Sequence, residues 1–166
     1  MSISFLTIED EDKDFEKGVK SANKIWTKVF SNEYEEGQCP GNFLTIGSID
    51  NEPVCAVIIK ISDSKKALIS SMGAYPQKCG YGSSLMQNII KFIKNLGVTE
   101  ICLKIDKDDK AERLDKFYSN YGFTKVEEDE EYEEDAFFYY DSNFEYIMSC
   151  KLDLDLDLDL TNLKIN

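Results

Sequence analysis

Gln77, Gly80 and Gly82, in the stretch QKCGYG, stand where an apolar run ends and a helical pattern begins. A glycine at such a junction supplies a backbone angle that other residues resist, or room for a ligand to reach the main chain. A strand, a Gly-x-Gly turn and a helix start together make a place for an anion. The N–H groups of the first turn have no partner inside the helix, and the dipole adds roughly half a positive charge. A phosphate can be held there without any basic side chain.

Three phosphate-binding patterns use this physics. The phosphate-loop pattern GxxxxGK[ST] fails, because Gly82 is followed by Ser83 and Ser84. The dinucleotide pattern GxGxxG finds Leu85 at its third glycine, although Asp106 falls near the expected acidic position. The third pattern, [QR]-x-x-G-x-[GA], matches at Gln77, Gly80 and Gly82, and a tight turn that merely ends a strand is its bland rival. Some forty residues on, FYSNYGF, Phe117 to Phe123, matches FYxxxGF. With a helix, a strand and a second helix in order between them, the chain resembles the GNAT acyltransferases.

The resemblance implies an acetyl-CoA-dependent N-acetyltransferase. Lys78, Cys79, Gly80, Tyr81, Gly82 and Ser83, with Gln77, would wrap the coenzyme's pyrophosphate through main-chain groups. Ser70, Ser71 and Met72 would end a strand that parts from its neighbour and pairs with the pantetheine arm. One of their amides would hold the developing oxyanion. Tyr118 would protonate the departing thiolate, although a tyrosine on an apolar helix face is by position alone a core residue. Lys78 would add charge or lie solvated at the surface. Cys79 is read as a tolerated residue, since direct transfer needs no nucleophile of the protein. Two departures from the family pattern stand out. No acid occurs between Lys65 and Met72, where some members carry a glutamate, and Ala111 replaces an asparagine seven residues before the tyrosine.

The elements that must position these residues follow from periodicity. Strands are expected at Ile3–Ile8, Phe43–Ile49, Val54–Ile61, Ala67–Met72, Thr99–Ile105, Phe123–Val126 and Glu145–Leu152. Asp50-Asn51-Glu52-Pro53 is turn chemistry and makes a hairpin of the second and third. Phe15, Val19, Ala22, Trp26, Val29 and Phe30 form one helical stripe. Leu85, Ile89, Phe92, Ile93 and Leu96 form a second, ended by Gly97, and Leu114, Phe117, Tyr118 and Tyr121 a third, starting at Asp108-Asp109 and ended by Gly122. Residues 31–41 read as loop. The order β-α-β-β-β-α-β-α-β-β describes one α/β (α+β) domain over residues 1–166, with a mixed sheet of six to seven strands flanked by helices. Residues 152–166 are a strand extension or a tail.

The 166 residues suffice for one self-contained core. Five scattered cysteines without a CxxC pair, and an N-terminus unlike an export signal, point to reduced thiols and a cytoplasmic protein. No apolar run is long enough for a membrane span. The chain has no histidine, which excludes His-based triads and the commonest zinc ligand. An EF-hand register on the Leu-Asp repeat fails at its glycine and glutamate positions, so no metal is expected.

The net charge is −13, but Glu127–Asp135 carries eight acids and Leu152–Leu160 four; without those twelve, 20 acids face 19 bases. DNA is an unsuitable partner, and a cation suits. In the resembled fold, the loop after the first helix and the connection before the last strand flank the acceptor. Here these carry Glu33, Glu35 and Glu36, then the acid run and Phe137, Phe138, Tyr139 and Tyr140. Acids and ring faces suit a polyamine, another cationic amine or a basic peptide; the bland alternative is a solvated acidic loop. A monomer or a homodimer is expected. The rival to an enzyme is a catalytically weak module that binds acyl-CoA or a basic partner.

Overall fold

The sheet is laid down by hairpins between residues 43 and 74 and by a helical crossover after them. The computed structural model describes residues 2–30, 41–106, 108, 110–126 and 144–153. Its elements are β1 (Ser4–Glu9), α1 (Phe15–Phe30), β2 (Phe43–Ile49), β3 (Glu52–Ile61), β4 (Lys66–Ala74), α2 (Tyr81–Asn95), β5 (Glu100–Asp106), α3 (Ala111–Ser119), β6 (Thr124–Lys125) and β7 (Phe144–Lys151). The order is the one that the periodicity predicts. The seven strands lie in the order β1-β2-β3-β4-β5-β7-β6. Among these strands only β4 and β5 pair in parallel, and α2 supplies the crossover that a parallel pair needs.

Local chemistry sets the turns. Asp50 and Asn51 both have positive φ, 51° and 66°, so β2 and β3 join through a tight two-residue turn. β3 therefore starts at Glu52, earlier than expected. Pro53, which has no N–H to give a ladder, sits beside a register shift between Gly47 and Ser48. α2 ends where Gly97 takes φ 72°: its N–H bonds the Lys94 carbonyl, and the Val98 N–H bonds that of Ile93. α3 ends in the same way at Gly122, with φ 85°. It begins at Ala111 and not at Asp108-Asp109, because the Asp108 carboxylate takes the Lys110 N–H at 2.7 Å and holds a turn there.

The helices cover opposite faces of the sheet. α2 and α3 pack over Val57, Ile59, Ala67, Ile69, Ile101, Leu103 and Ile105. α1 packs over Ile8, Leu44, Ile46, Ala56 and Ile58 with Phe15, Val19, Ala22 and Trp26. Its stripe also buries Ile25, whereas Phe30 at its end is 42% exposed. Leu96, expected in the α2 stripe, is turned outward by the helix-ending glycine beside it. β7 stops at Lys151; Leu152 bonds the Thr99 carbonyl and is buried, and the Leu-Asp repeat beyond 153 lies outside the described residues. Cys55, Cys79, Cys102 and Cys150 are free thiols. Among the described residues, no helix is long and apolar enough to cross a membrane.

α1 sits close on β4 at Gly73, where a Cβ would lie 3.3 Å from Trp26 Cδ1 and 3.5 Å from both Ile25 Cγ2 and Phe30 Cε2. One methyl needs Trp26 to give by a few tenths of an ångström, and a branched side chain needs more. Gly73→Val is expected to destabilise the protein by about 1–3 kcal/mol despite valine's preference for strands, and Gly73→Ala by less than about 1 kcal/mol. Urea midpoints of the two variants check this.

Candidate active site

β4 and β5 are partners for only four residues. Their ladder runs from Lys66↔Glu100 to Ile69↔Leu103 and ends. β4 continues to Ala74 against β3, and β5 continues to Asp106 against β7. The two strands thus part into a V, each held by its other neighbour. The pairing with β3 shows the cause. Ile59 faces Ile69, and the next residue, Ile58, faces Ser71, so Ser70 is an extra residue in β4. Such a bulge bends the strand and sharpens its twist. It also resets the faces, so that Met72, three residues after Ile69, packs on the same side. Ser70, Ser71 and Met72 therefore lie on the parted stretch of β4, half-buried, at the strand end where they are expected.

The mouth of α2 faces the end of this stretch. Between Tyr75 and Gly80 the chain makes a turn with a cis Tyr75–Pro76 bond and with left-handed residues at Lys78, φ 63°, and Gly80, φ 78°. Gly80 is the residue before the helix, and no side chain caps the end. Ser84 is the first to bond back, to the Gly80 carbonyl at 3.0 Å, which leaves the N–H groups of Tyr81, Gly82 and Ser83 in the open first turn. The helix thus starts at Tyr81, one turn before Leu85, the first residue of its apolar stripe. Gln77, Lys78 and Cys79 are exposed on the loop.

The two glycines have different tasks. A Cβ at Gly80 would meet nothing within 4 Å, so only its angle demands glycine. At Gly82 φ is ordinary, and a Cβ would sit 3.8 Å from Ala74 Cβ and Phe117 Cζ and 4.0 Å from Met72 Cε. That is normal packing, which explains why the pattern tolerates alanine there. It also shows that the end of β4, the start of α2 and Phe117 of α3 meet at one point.

α3 is tied to this point by further contacts. Tyr121 shares a hydrogen bond with Ser83 that offsets part of the upward push of burial on its pKa. Arg113 Nη1 donates to Gln77 Oε1 at 3.1 Å. On its other side α3 is anchored by Asp115, whose Oδ2 accepts from the Tyr146 hydroxyl at 2.8 Å. Tyr118 is 7% exposed. It packs edge-on to Phe117, with ring centroids 5.1 Å apart, and against Phe123 at 5.6 Å. Burial pushes its pKa up to about 12. Ala111 is half-buried and packed on apolar neighbours. Glu33, Glu35 and Tyr139, the expected acceptor residues, lie outside the described residues.

Three features here are not evident from periodicity or motif. The bulge has one trace in the sequence, two serines in succession after the apolar Ala67-Leu68-Ile69. The partnership of Tyr121 with Ser83 has none. Arg113 has a compositional one, since it is the single arginine of the chain.

This architecture recurs in solved structures. It superimposes on Tetrahymena Gcn5 with a TM-score of 0.72 at 12% identity, over 95% of this chain and 99% of that one. An acetyltransferase of the GNAT family from Staphylococcus aureus Mu50 matches with a TM-score of 0.62 at 16% identity, over 90% of this chain and 100% of that one. The chain has the GNAT acetyltransferase fold. PaiA N-acetyltransferase from Thermoplasma acidophilum, solved with coenzyme A, matches this GNAT fold with a TM-score of 0.61 at 17% identity, over 92% of this chain and 100% of that one. No family model matches the sequence, and no curated protein does.

The two glycines can be separated experimentally. Gly80→Ala should cost about 1–2 kcal/mol of stability, the strain of a left-handed alanine, and should weaken anion binding at the mouth. Gly82→Ala should gain up to about 1 kcal/mol from helix preference and leave binding within a few-fold. Melting curves with and without coenzyme A read both effects.

Two buried groups set an alkaline limit. Cys55, fully buried, has its thiol pushed by burial from 9.0 to about 12, and Tyr118 is pushed from 10.0 to about 12. Both folded pKa values are raised, so the folded state keeps its protons longer than the unfolded chain. Their stabilisation is complete below about pH 9 and is lost as pH rises toward 12, at about 1.4 kcal/mol per pH unit for each group titrating. The urea midpoint should hold to about pH 9 and then fall. In Cys55→Ala the fall above about pH 9 should be shallower but not absent, because burial also raises the Cys150 thiol.

Proposed function

We propose that the protein is an acetyl-CoA-dependent N-acetyltransferase acting on a primary amine. The observation that carries this reading is the parting of β4 from β5 beside an uncapped α2 mouth, within a fold whose solved neighbours include complexes with coenzyme A. The residues present fit that coenzyme. The amides from Lys78 to Ser83 would hold its diphosphate, with the α2 dipole adding attraction that needs no acidic or basic side chain. The β4 edge from Ser70 to Met72 would hydrogen-bond the pantetheine arm as an added strand. One amide of that edge would polarise the thioester carbonyl and hold the oxyanion, a donor of the kind worth about 2.7–4 kcal/mol in other acyl transfers.

The amine nitrogen would then bond to the carbonyl carbon, the carbon–sulfur bond would break, and Tyr118 would meet the leaving sulfur. With its pKa at about 12, full transfer to a thiolate of ordinary pKa near 8.5 is uphill by about 5 kcal/mol. Tyr118 therefore acts first as a neutral hydrogen-bond donor. Its proton moves only as far as the same dry surroundings raise the thiolate's own pKa. A hydrogen bond to a charged group is worth about 1.5–3 kcal/mol, roughly a 10- to 150-fold change in rate. The amine's proton would leave through water or a carboxylate, since the chain has no histidine.

A cationic acceptor suits the surface beyond β4. Phe30 and Tyr75, each 42% exposed, stand beside its parted end. The Tyr75 ring already takes an ammonium, that of Lys28, at 4.8 Å from its centroid. Glu33, Glu35 and Tyr139 would add charge and a further ring by the sequence argument. A polyamine or a basic peptide is the acceptor class proposed. The second reading is a binding module of low turnover, and the apolar setting of Ala111 favours it, because no side-chain amide there reaches toward the coenzyme arm.

Purified protein given acetyl-CoA should release free thiol when offered spermidine or a lysine-rich peptide, and Tyr118→Phe should slow release at least tenfold with coenzyme affinity little changed. Coenzyme binding without thiol release across a broad amine panel would establish the binding module instead.

A further inference from the structure

We propose that Arg113 is a phosphate-binding residue of the coenzyme site, held in its working position by Gln77. The inference rests on the coenzyme reading above. Arg113 is the only arginine in a chain whose other 18 basic residues are lysines. It lies exposed on α3, 36 residues from the loop, yet its Nη1 reaches Gln77 Oε1 at 3.1 Å. That bond has two consequences. It fixes a guanidinium beside the loop whose amides form the anion cradle. It also occupies the acceptor oxygen of Gln77, so the pair turns N–H donors outward: the Gln77 amide NH₂ and the remaining guanidinium N–H groups.

Such a donor array suits an oxyanion, and beside an anion cradle of backbone amides a phosphate is the one it would meet. A guanidinium presents a rigid fork that matches phosphate oxygens in pairs, which an ammonium cannot do. Lys78, on the same loop and exposed, adds a second positive charge. In a protein of net charge −13 a polyanionic coenzyme needs local compensation. The α2 mouth offers first-turn amides to a diphosphate, and Arg113 would supply a separate contact at its edge. Coenzyme A carries a diphosphate and a 3′-phosphate, and either is the same chemistry for Arg113.

Isothermal titration of coenzyme A and of 3′-dephospho-coenzyme A, at about 50 and 500 mM KCl, tests the assignment. Arg113→Gln is expected to weaken coenzyme A binding at least tenfold and to make what remains less salt-sensitive than in the unaltered protein. Arg113→Lys is expected to recover only part of the loss. A loss confined to coenzyme A assigns Arg113 to the 3′-phosphate; an equal loss on the dephospho form assigns it to the diphosphate. Binding by Arg113→Gln within twofold of the unaltered protein would overturn the proposal. So would a loss with unchanged salt sensitivity, which would make Arg113 a structural tie alone. If the glutamine variant does not fold, the lysine variant decides: weakened binding at an unchanged melting temperature supports the proposal, and equal affinity overturns it. Should the unaltered protein fail to bind coenzyme A, the coenzyme reading falls and this one with it; binding indifferent to Arg113 removes this one alone.

Discussion

Everything at the candidate site depends on one parallel strand pair that does not stay paired. β4 and β5 share four rungs and then separate, because each is bound more extensively to an antiparallel neighbour. A parallel ladder is slightly weaker per residue than an antiparallel one. The extra residue Ser70 adds a bend where the ladder ends. Backbone groups along a parted edge still need partners, and a V of two strand edges is a place where an extended, amide-bearing ligand can supply them. The split is therefore a local weakness of the sheet and, in the proposed reading, the place where a ligand would bind.

Keeping the V open requires α2 and α3 to be fixed against it. The helix-ending glycines Gly97 and Gly122 do this from a distance, by sending Val98 and Phe123 straight into the core. Closer in, α3 is held on three sides: by Tyr121 on Ser83, by Arg113 on Gln77 and by Asp115 on Tyr146. Each of these bonds joins residues more than 30 positions apart in the chain. Tyr118 is thereby locked between Phe117 and Phe123 with little rotational freedom. A hydrogen-bond donor so placed would lose little entropy on meeting a leaving group, as the proposed reaction requires.

Much of this is legible in the amino-acid sequence, and the division follows the range of the interactions. Periodicities of two and 3.6 place the ten elements in order, since they express which side of one element is buried. The mouth of α2 is legible because its requirements are local: a left-handed residue at Gly80 and free amides after it. The parting of β4 at Ser70–Met72 enters through the GNAT resemblance, and the register shows the ladder ending just before it. What the sequence hides is set by distant partners. The bulge depends on how β4 meets β3. The exposure of Phe30 and the burial of Ile25 depend on where α1 lies across the sheet. The bond from Arg113 to Gln77 spans 36 residues. The start of α3 differs from expectation for a local reason, a side-chain turn at Asp108 that competes with the helix.

Charge follows the same division of labour. The −13 of the chain comes almost wholly from two segments, Glu127–Asp135 and Leu152–Leu160, and the remainder is close to neutral. Backbone dipoles are indifferent to that total. They act within about one helical turn, and salt screens exposed charges beyond about 10 Å. A protein can thus be acidic overall and still hold a polyanion, provided that the holding is done by amides and one well-placed guanidinium. A cationic acceptor would meet the exposed rings of Phe30 and Tyr75, beside α1. The two opposite charges would then meet only at the V, because elsewhere the sheet stands between the α2 face and the α1 face.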